Sequence, residues 1–146
     1  MEEAYIYDTV RSPRGKGKKG SLNELTAVTL SARILKELRE RNSLNTEEIE
    51  DVIWGNVTQV GEQGGCLARS AVIAANYSES TPGLSINRFC ASGLEAVNLA
   101  TNQVKGSAGN AYVAGGVEMM SRVPMGSDGA AIAVDPTLAM NSYFVP

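Results

Sequence analysis

The sequence predicts an α/β fold, a parallel-type sheet flanked by helices, and three observations carry that expectation. Short runs rich in β-branched and aromatic residues alternate with longer runs of helical period. Their order along the chain is strand, helix, strand, helix, strand, helix, strand, the pattern of a parallel sheet with crossover helices. The run Val52-Ile53-Trp54-Gly55-Asn56-Val57 is almost wholly apolar, as a strand covered on both faces should be. A chain of 146 residues with 43% hydrophobic content is large enough for one domain with a real core.

Ala4 to Val10 carries Tyr, Ile and Val in loose alternation and predicts a first strand, ended by Arg11-Ser12-Pro13. After a basic, glycine-rich loop, Ser21-Leu22-Asn23-Glu24 fits a capping box. Leu25, Val28, Ala32, Leu35 and Leu38 then recur at helical spacing to about residue 42. Asn45 to Glu50 reads as one more helical turn leading into the Val52–Val57 strand. Gly61 to Gly65 is a loop, and the alanine-rich stretch Cys66 to Asn76 predicts a tightly packed helix. Pro82 and Gly83 open a strand that runs to Phe89. From Ala91 to Lys105, Leu94, Val97, Ala100 and Val104 mark one helical face, with Gly106 as the C-terminal cap. A last strand is expected near Asn110 to Ala114. Beyond Gly115-Gly116 the character changes: residues 117 to 146 hold four of the five methionines and show no clear period. The expected division is therefore a domain over 1–116 and the start of something longer over 117–146.

Charge narrows the function. Thirteen basic against sixteen acidic residues give a net charge of −3, so no global positive field draws nucleic acid or an anionic membrane. The N-terminus is acidic, and no stretch approaches the roughly 20 apolar residues of a membrane helix, which predicts a cytoplasmic protein. Two cysteines, Cys66 and Cys90, are too few for a disulfide scaffold. Histidine, the side chain best suited to proton transfer near neutral pH, is absent altogether. No His/Cys/carboxylate cluster has metal-ligand spacing, so no metal site is expected.

Cys90 is the candidate nucleophile. It falls where the Leu84–Phe89 strand meets the Ala91–Lys105 helix, with Ala91, Ser92 and Gly93 directly after it. A turn of that kind presents a side chain at the carboxyl end of the sheet, where open α/β sheets bind ligands. The N–H groups of a helix start favour a thiolate and can hold an oxyanion. On spacing alone the other reading stays open, since an isolated cysteine is more often a small buried hydrophobe.

Asn87-Arg88-Phe89-Cys90-Ala91-Ser92-Gly93-Leu94-Glu95-Ala96 closely resembles the acyl-enzyme cysteine signature of the thiolases. Gly115-Gly116-Val117-Glu118-Met119-Met120-Ser121 resembles the glycine-rich segment downstream of it in that family. Arg11-Ser12-Pro13 and Glu47–Gly55 match the family's N-terminal region in order and spacing. The resemblance implies the N-terminal half of a thiolase, broken off at the start of an inserted loop domain that helps hold coenzyme A. It implies that Cys90 takes an acyl group from an acyl-CoA and that coenzyme A, or the enolate of a second acyl-CoA, attacks the resulting thioester. Coenzyme A and acyl-CoA are then substrates, with no permanently bound cofactor, and the parent is expected to be a homo-oligomer. The family's catalytic histidines and second cysteine have no counterpart here, and Cys66, ahead of the nucleophile, fits neither role and is expected in the core. The chain alone is therefore expected to be inactive. A ketosynthase or hydroxymethylglutaryl-CoA-synthase-like condensing enzyme, and a non-catalytic assembly fragment, are the alternative readings.

Two motifs carry weaker signals. Gly15-Lys16-Gly17-Lys18-Lys19-Gly20 satisfies GxGxxG after a strand, but the helix cap follows the glycines instead of lying among them, so a solvated basic loop is the expected outcome. Met119, Met120 and Met125 fit an acyl channel, an oligomer contact or the core equally well.

Overall fold

A computed structural model describes residues 2–129, 131 and 134–141. Helix α1 spans Ala27–Asn42, strand β1 Asp51–Gly55, helix α2 Leu67–Ala74, strand β2 Gly83–Ile86, helix α3 Ser92–Lys105, strand β3 Tyr112–Gly116, and a short helix α4 Pro136–Asn141. Single 3₁₀ turns occupy Thr46–Glu48 and Gly61–Gln63. The three strands form one parallel sheet in the order β2-β1-β3. Val52 stands opposite Gly83 on one side and Val113 on the other.

Topology decides which helix covers which face. The crossover β1-α2-β2 moves one way across the sheet and β2-α3-β3 moves back over β1. Right-handed crossovers in opposite directions place their helices on opposite faces. Alternation along β1 agrees: Val52 and Trp54 join the core with Leu35 of α1 and with Leu67, Ala71 and Val72 of α2. Ile53, also buried, lies outside that cluster, and α3 packs on β1 and β3. Trp54 is fixed twice. Its indole Nε1 donates to Ser31 Oγ at 3.0 Å, and its ring lies so close to Gly115 that a Cβ there would stand 2.6 Å from it.

Tyr77 closes the core below α2. Its hydroxyl donates to the Leu35 carbonyl at 2.9 Å, and burial pushes its pKa up to about 12 from 10.0. The unfolded chain releases this proton above about pH 10 while the folded chain keeps it. Folding is thereby weakened as pH rises from about 10 to 12, by an order of 2–3 kcal/mol in all. Urea unfolding followed across that window should show the loss, and Tyr77→Phe, which cannot ionise, should flatten it.

Four expectations need correction. Residues 4–10 form no strand: no ladder partner stands beside them among the described residues, and the segment and β3 line a shared cleft of about 1170 Å³. Asp8 instead ties it to the end of α1, accepting from Asn42 Nδ2 at 2.8 Å and pairing with Arg41 at 3.2 Å. Those donors hold the Asp8 carboxyl below its ordinary range, Asn42 contributing most. Helix α1 starts not at the Ser21 box but at Thr26, whose hydroxyl accepts from Thr29 N at 3.1 Å; residues 20–25 form turns. Cys66 is exposed, not core. It caps α2 in the left-handed conformation, φ 61°, which turns its thiol away from the packed face and toward the Gly83 carbonyl. On α3 the fully buried residues are Ser92 and Ala96; Leu94 is exposed, and Val97, Ala100 and Val104 line the cleft.

The other elements stand within a few residues of their predicted places. The basic loop Gly15–Gly20 is exposed, and no helix starts inside it. Of the three methionines, Met119 is in the core and Met120 and Met125 are exposed.

Candidate active site

The carboxyl ends of β1 and β2 are where the chain leaves the sheet toward opposite faces, to α2 after β1 and to α3 after β2. Such a switch point opens a crevice at the sheet edge. Asn56–Thr58 follow β1 there, and Asn87–Ala91 follow β2. Cys90 lies in the second of these segments, two residues before α3, with an exposed free thiol. No hydrogen bond to its Sγ is present among the described residues.

The turn that presents Cys90 is held by its neighbours' side chains. Asn87 Oδ1 accepts from Phe89 N at 2.8 Å, closing a local turn. Ser92 Oγ accepts from Arg88 N at 2.8 Å and donates to the Phe89 carbonyl at 2.6 Å, so one buried hydroxyl satisfies both sides of the bend. Phe89 itself sits at φ 47°, a left-handed conformation that costs a non-glycine residue about 1–2 kcal/mol. The strain falls on the residue before the cysteine, and the three bonds named above offset it. Outside the turn, Arg88 Nη2 pairs with Glu95 Oε1 at 2.9 Å, tying an exposed guanidinium to the first turn of α3.

Gly55 sets the depth of the site. A Cβ built on it would lie 2.5 Å from Ser92 C and 2.7 Å from Gly93 N. The first turn of α3 thus rests directly on the end of β1, which only glycine allows.

A second constellation backs the crevice. Glu118, two residues past β3, turns its carboxylate under the segment after β1. It accepts from Val57 N at 2.8 Å, Gln63 Nε2 at 2.8 Å, Asn56 Nδ2 at 3.3 Å and Thr58 N at 3.3 Å. Gln63, wholly buried, returns its Oε1 to Met119 N at 2.8 Å. Arg122 adds a two-pronged ion pair with Glu62, 2.5 and 3.0 Å, which holds the Glu62 carboxyl below its usual range. The local pattern does not single out Glu118, because its donors are some sixty positions away. Its one visible signal was its place in the Gly115–Ser121 motif.

The large cleft between residues 2–17 and β3 does not include Cys90 among its lining residues. Among the described residues no group of His, Cys, Asp and Glu could hold a metal ion, and no helix is long and apolar enough to cross a membrane.

Comparison with known proteins places these features in context. The family model for the N-terminal domain of thiolase matches residues 4–142. The 3-ketoacyl-CoA thiolase of Colwellia psychrerythraea is 41% identical over 142 residues, covering 97% of this chain and 36% of that protein. The 3-ketoacyl-CoA thiolase of Pseudoalteromonas atlantica is 40% identical over 126 residues, covering 86% and 33%. The crystal structure of the Bacillus anthracis acetyl-CoA acetyltransferase aligns with a TM-score of 0.67 at 34% identity, over 72% of this chain and 26% of that one. The chain spans about a third of the length of the curated relatives it matches.

Proposed function

The chain belongs to the thiolase family, and from that premise we propose that it carries the acyl-accepting part of an acyl-CoA acyltransferase, with Cys90 as the nucleophile. One observation carries the reading: an exposed thiol stands at the switch point of a parallel sheet, in a strained turn that three side-chain hydrogen bonds hold. In the degradative direction the Cys90 thiolate adds to the 3-oxo carbonyl of a 3-oxoacyl-CoA. The bond between C2 and C3 then breaks, acetyl-CoA leaves as an enolate and takes up a proton, and the acyl group stays on sulfur. Coenzyme A attacks that thioester and regenerates the thiolate. In the synthetic direction acetyl-CoA acylates Cys90 with loss of coenzyme A, and the enolate of a second acetyl-CoA attacks.

Both directions need groups that move protons, and the sequence contains no histidine. The bases are assigned to the part of the relatives' length that this chain does not span, and the chain alone is predicted to have no turnover. Residues 117–146 are assigned to the start of the coenzyme A-holding loop domain. Strand β2 lies at a sheet edge with Leu84, Phe89 and Leu94 exposed around it, which supports a homo-oligomer built across that edge. Two free cysteines suit the cytoplasm.

The test is brief exposure of the purified chain to acetyl-CoA, followed by intact mass spectrometry and peptide mapping of both cysteines. Acetylation confined to Cys90 is expected if the turn itself activates the thiol. Labelling of Cys66 to the same extent would count against a nucleophile built at Cys90. No labelling would place activation with the bases outside this chain.

A further inference from the structure

Glu118 is a carboxylate that acyl transfer to Cys90 does not use. Its four donors come from one short stretch, residues 56–63, and it forms no ion pair among the described residues. Four donors converging on one group require an acceptor without hydrogens of its own, and an ionised carboxylate meets that need where an amide does not. Two of the donors are backbone N–H groups, so what Glu118 fixes is the path of the main chain at Val57 and Thr58.

That path continues to the cysteine. Val57 gives its N–H to Glu118, and its carbonyl accepts from Asn87 Nδ2 at 3.2 Å. Asn87 then accepts from Phe89 N through Oδ1. Three consecutive contacts run from the Glu118 carboxylate, through one residue after β1, to the left-handed Phe89 that precedes Cys90. They cross from the end of β1 to the end of β2 beyond the last main-chain bond between the two, which Asn56 N donates to the Ile86 carbonyl at 2.9 Å.

We propose that Glu118 is a positioning residue for Cys90: by clamping Val57 and Thr58 it holds Asn87, and through Asn87 it fixes the turn that aims the thiol. This rests on the reading of Cys90 as the nucleophile and adds a residue that touches no substrate. The carboxylate is needed because Glu118→Gln would set an NH₂ against at least one pair of donors and leave them unpaired.

The experiment is alkylation of the full 146-residue chain with iodoacetamide at one fixed pH, with Cys90 and Cys66 quantified separately by peptide mapping. Cys66, also exposed, is the internal reference. In Glu118→Gln the Cys90-to-Cys66 rate ratio is expected to fall about tenfold, the scale on which small misplacements of reacting groups act. Asn87→Ala should lower it by a similar factor, and the double variant should be no worse than the poorer single one, because both act on one path. Glu118→Asp, which keeps the charge, should recover part of the ratio. An unchanged or raised ratio in a folded Glu118→Gln chain, or full additivity with Asn87→Ala, overturns the proposal. Should Glu118→Gln not fold, as judged by Trp54 fluorescence, the ratios of Glu118→Asp and Asn87→Ala decide in the same way. Iodoacetamide needs no acyl-CoA site, so a failure of acetyl transfer to Cys90 leaves this result readable.

Discussion

Cys90→Ala, made in a protein that joins this chain to the remainder of its relatives' length, is expected to lower turnover of a 3-oxoacyl-CoA by about 10⁴-fold or more. Removing the atom that carries a covalent intermediate leaves only binding and charge stabilisation by the rest of the site, and losses of that order follow. The substitution should not disturb the fold: Cys90 is exposed, its thiol makes no hydrogen bond among the described residues, and surface changes of this kind shift stability by roughly 0.5 kcal/mol or less. Steady-state rates with 3-oxoacyl-CoA and coenzyme A, set beside a melting curve of each protein, check both halves of the expectation. A variant that melts normally and keeps rates within tenfold of the parent would remove Cys90 from the chemistry.

Gly55→Ala is expected to be strongly destabilising although it adds a single methyl. The new carbon would meet Ser92 C at 2.5 Å and Gly93 N at 2.7 Å, main-chain atoms of α3 that cannot rotate aside. Either α3 lifts off the sheet or β1 bends, and overpacking of this kind costs about 3 kcal/mol. For a domain of this size that is a fall in melting temperature of about 10 °C. Gly93→Ala is the matched control, because a Cβ there meets nothing within 4 Å. It lies in the first turn of α3, where alanine is the better helix former, so it should be neutral or stabilising by up to about 1 kcal/mol. Thermal unfolding followed by circular dichroism would compare the pair. Equal melting temperatures would mean that α3 does not rest on β1 as described.

The central features were legible because they are local. The continuous apolar run of β1, the small residues of α2 and the strand-to-helix junction at Cys90 can each be read within a dozen positions, and each stands within a few residues of where the pattern put it. What escaped reading depends on distant partners. Residues 4–10 have the composition of a strand, but a strand exists only when another lies beside it, and here the neighbouring position across from β3 is a cleft. Cys66 reads as a core cysteine until the left-handed backbone at the head of α2 turns it outward. Thr26 outcompetes the Ser21 box through a hydroxyl contact to Thr29 that composition does not single out. Leu94 stands exposed and Ala96 is buried because the Gly55 contact seats α3 on its small side. Glu118 stayed hidden for the same reason as the failed strand: its meaning lies in donors contributed by another part of the chain.

The open side of β3 also bears on how the isolated chain behaves in a tube. Tyr112 to Gly116 pair with β1 on one edge and, among the described residues, with no strand on the other. A row of main-chain groups left in this way is a template that accepts any extended backbone of matching register. A second copy entering the cleft between β3 and residues 2–17 would gain ladder bonds, and the five residues of β3 hold neither a proline nor a charged side chain to oppose it. Insolubility on concentration should therefore precede unfolding, with the helical signal intact in the precipitate, and the remedy lies in a charged side chain on that edge and not in a better core.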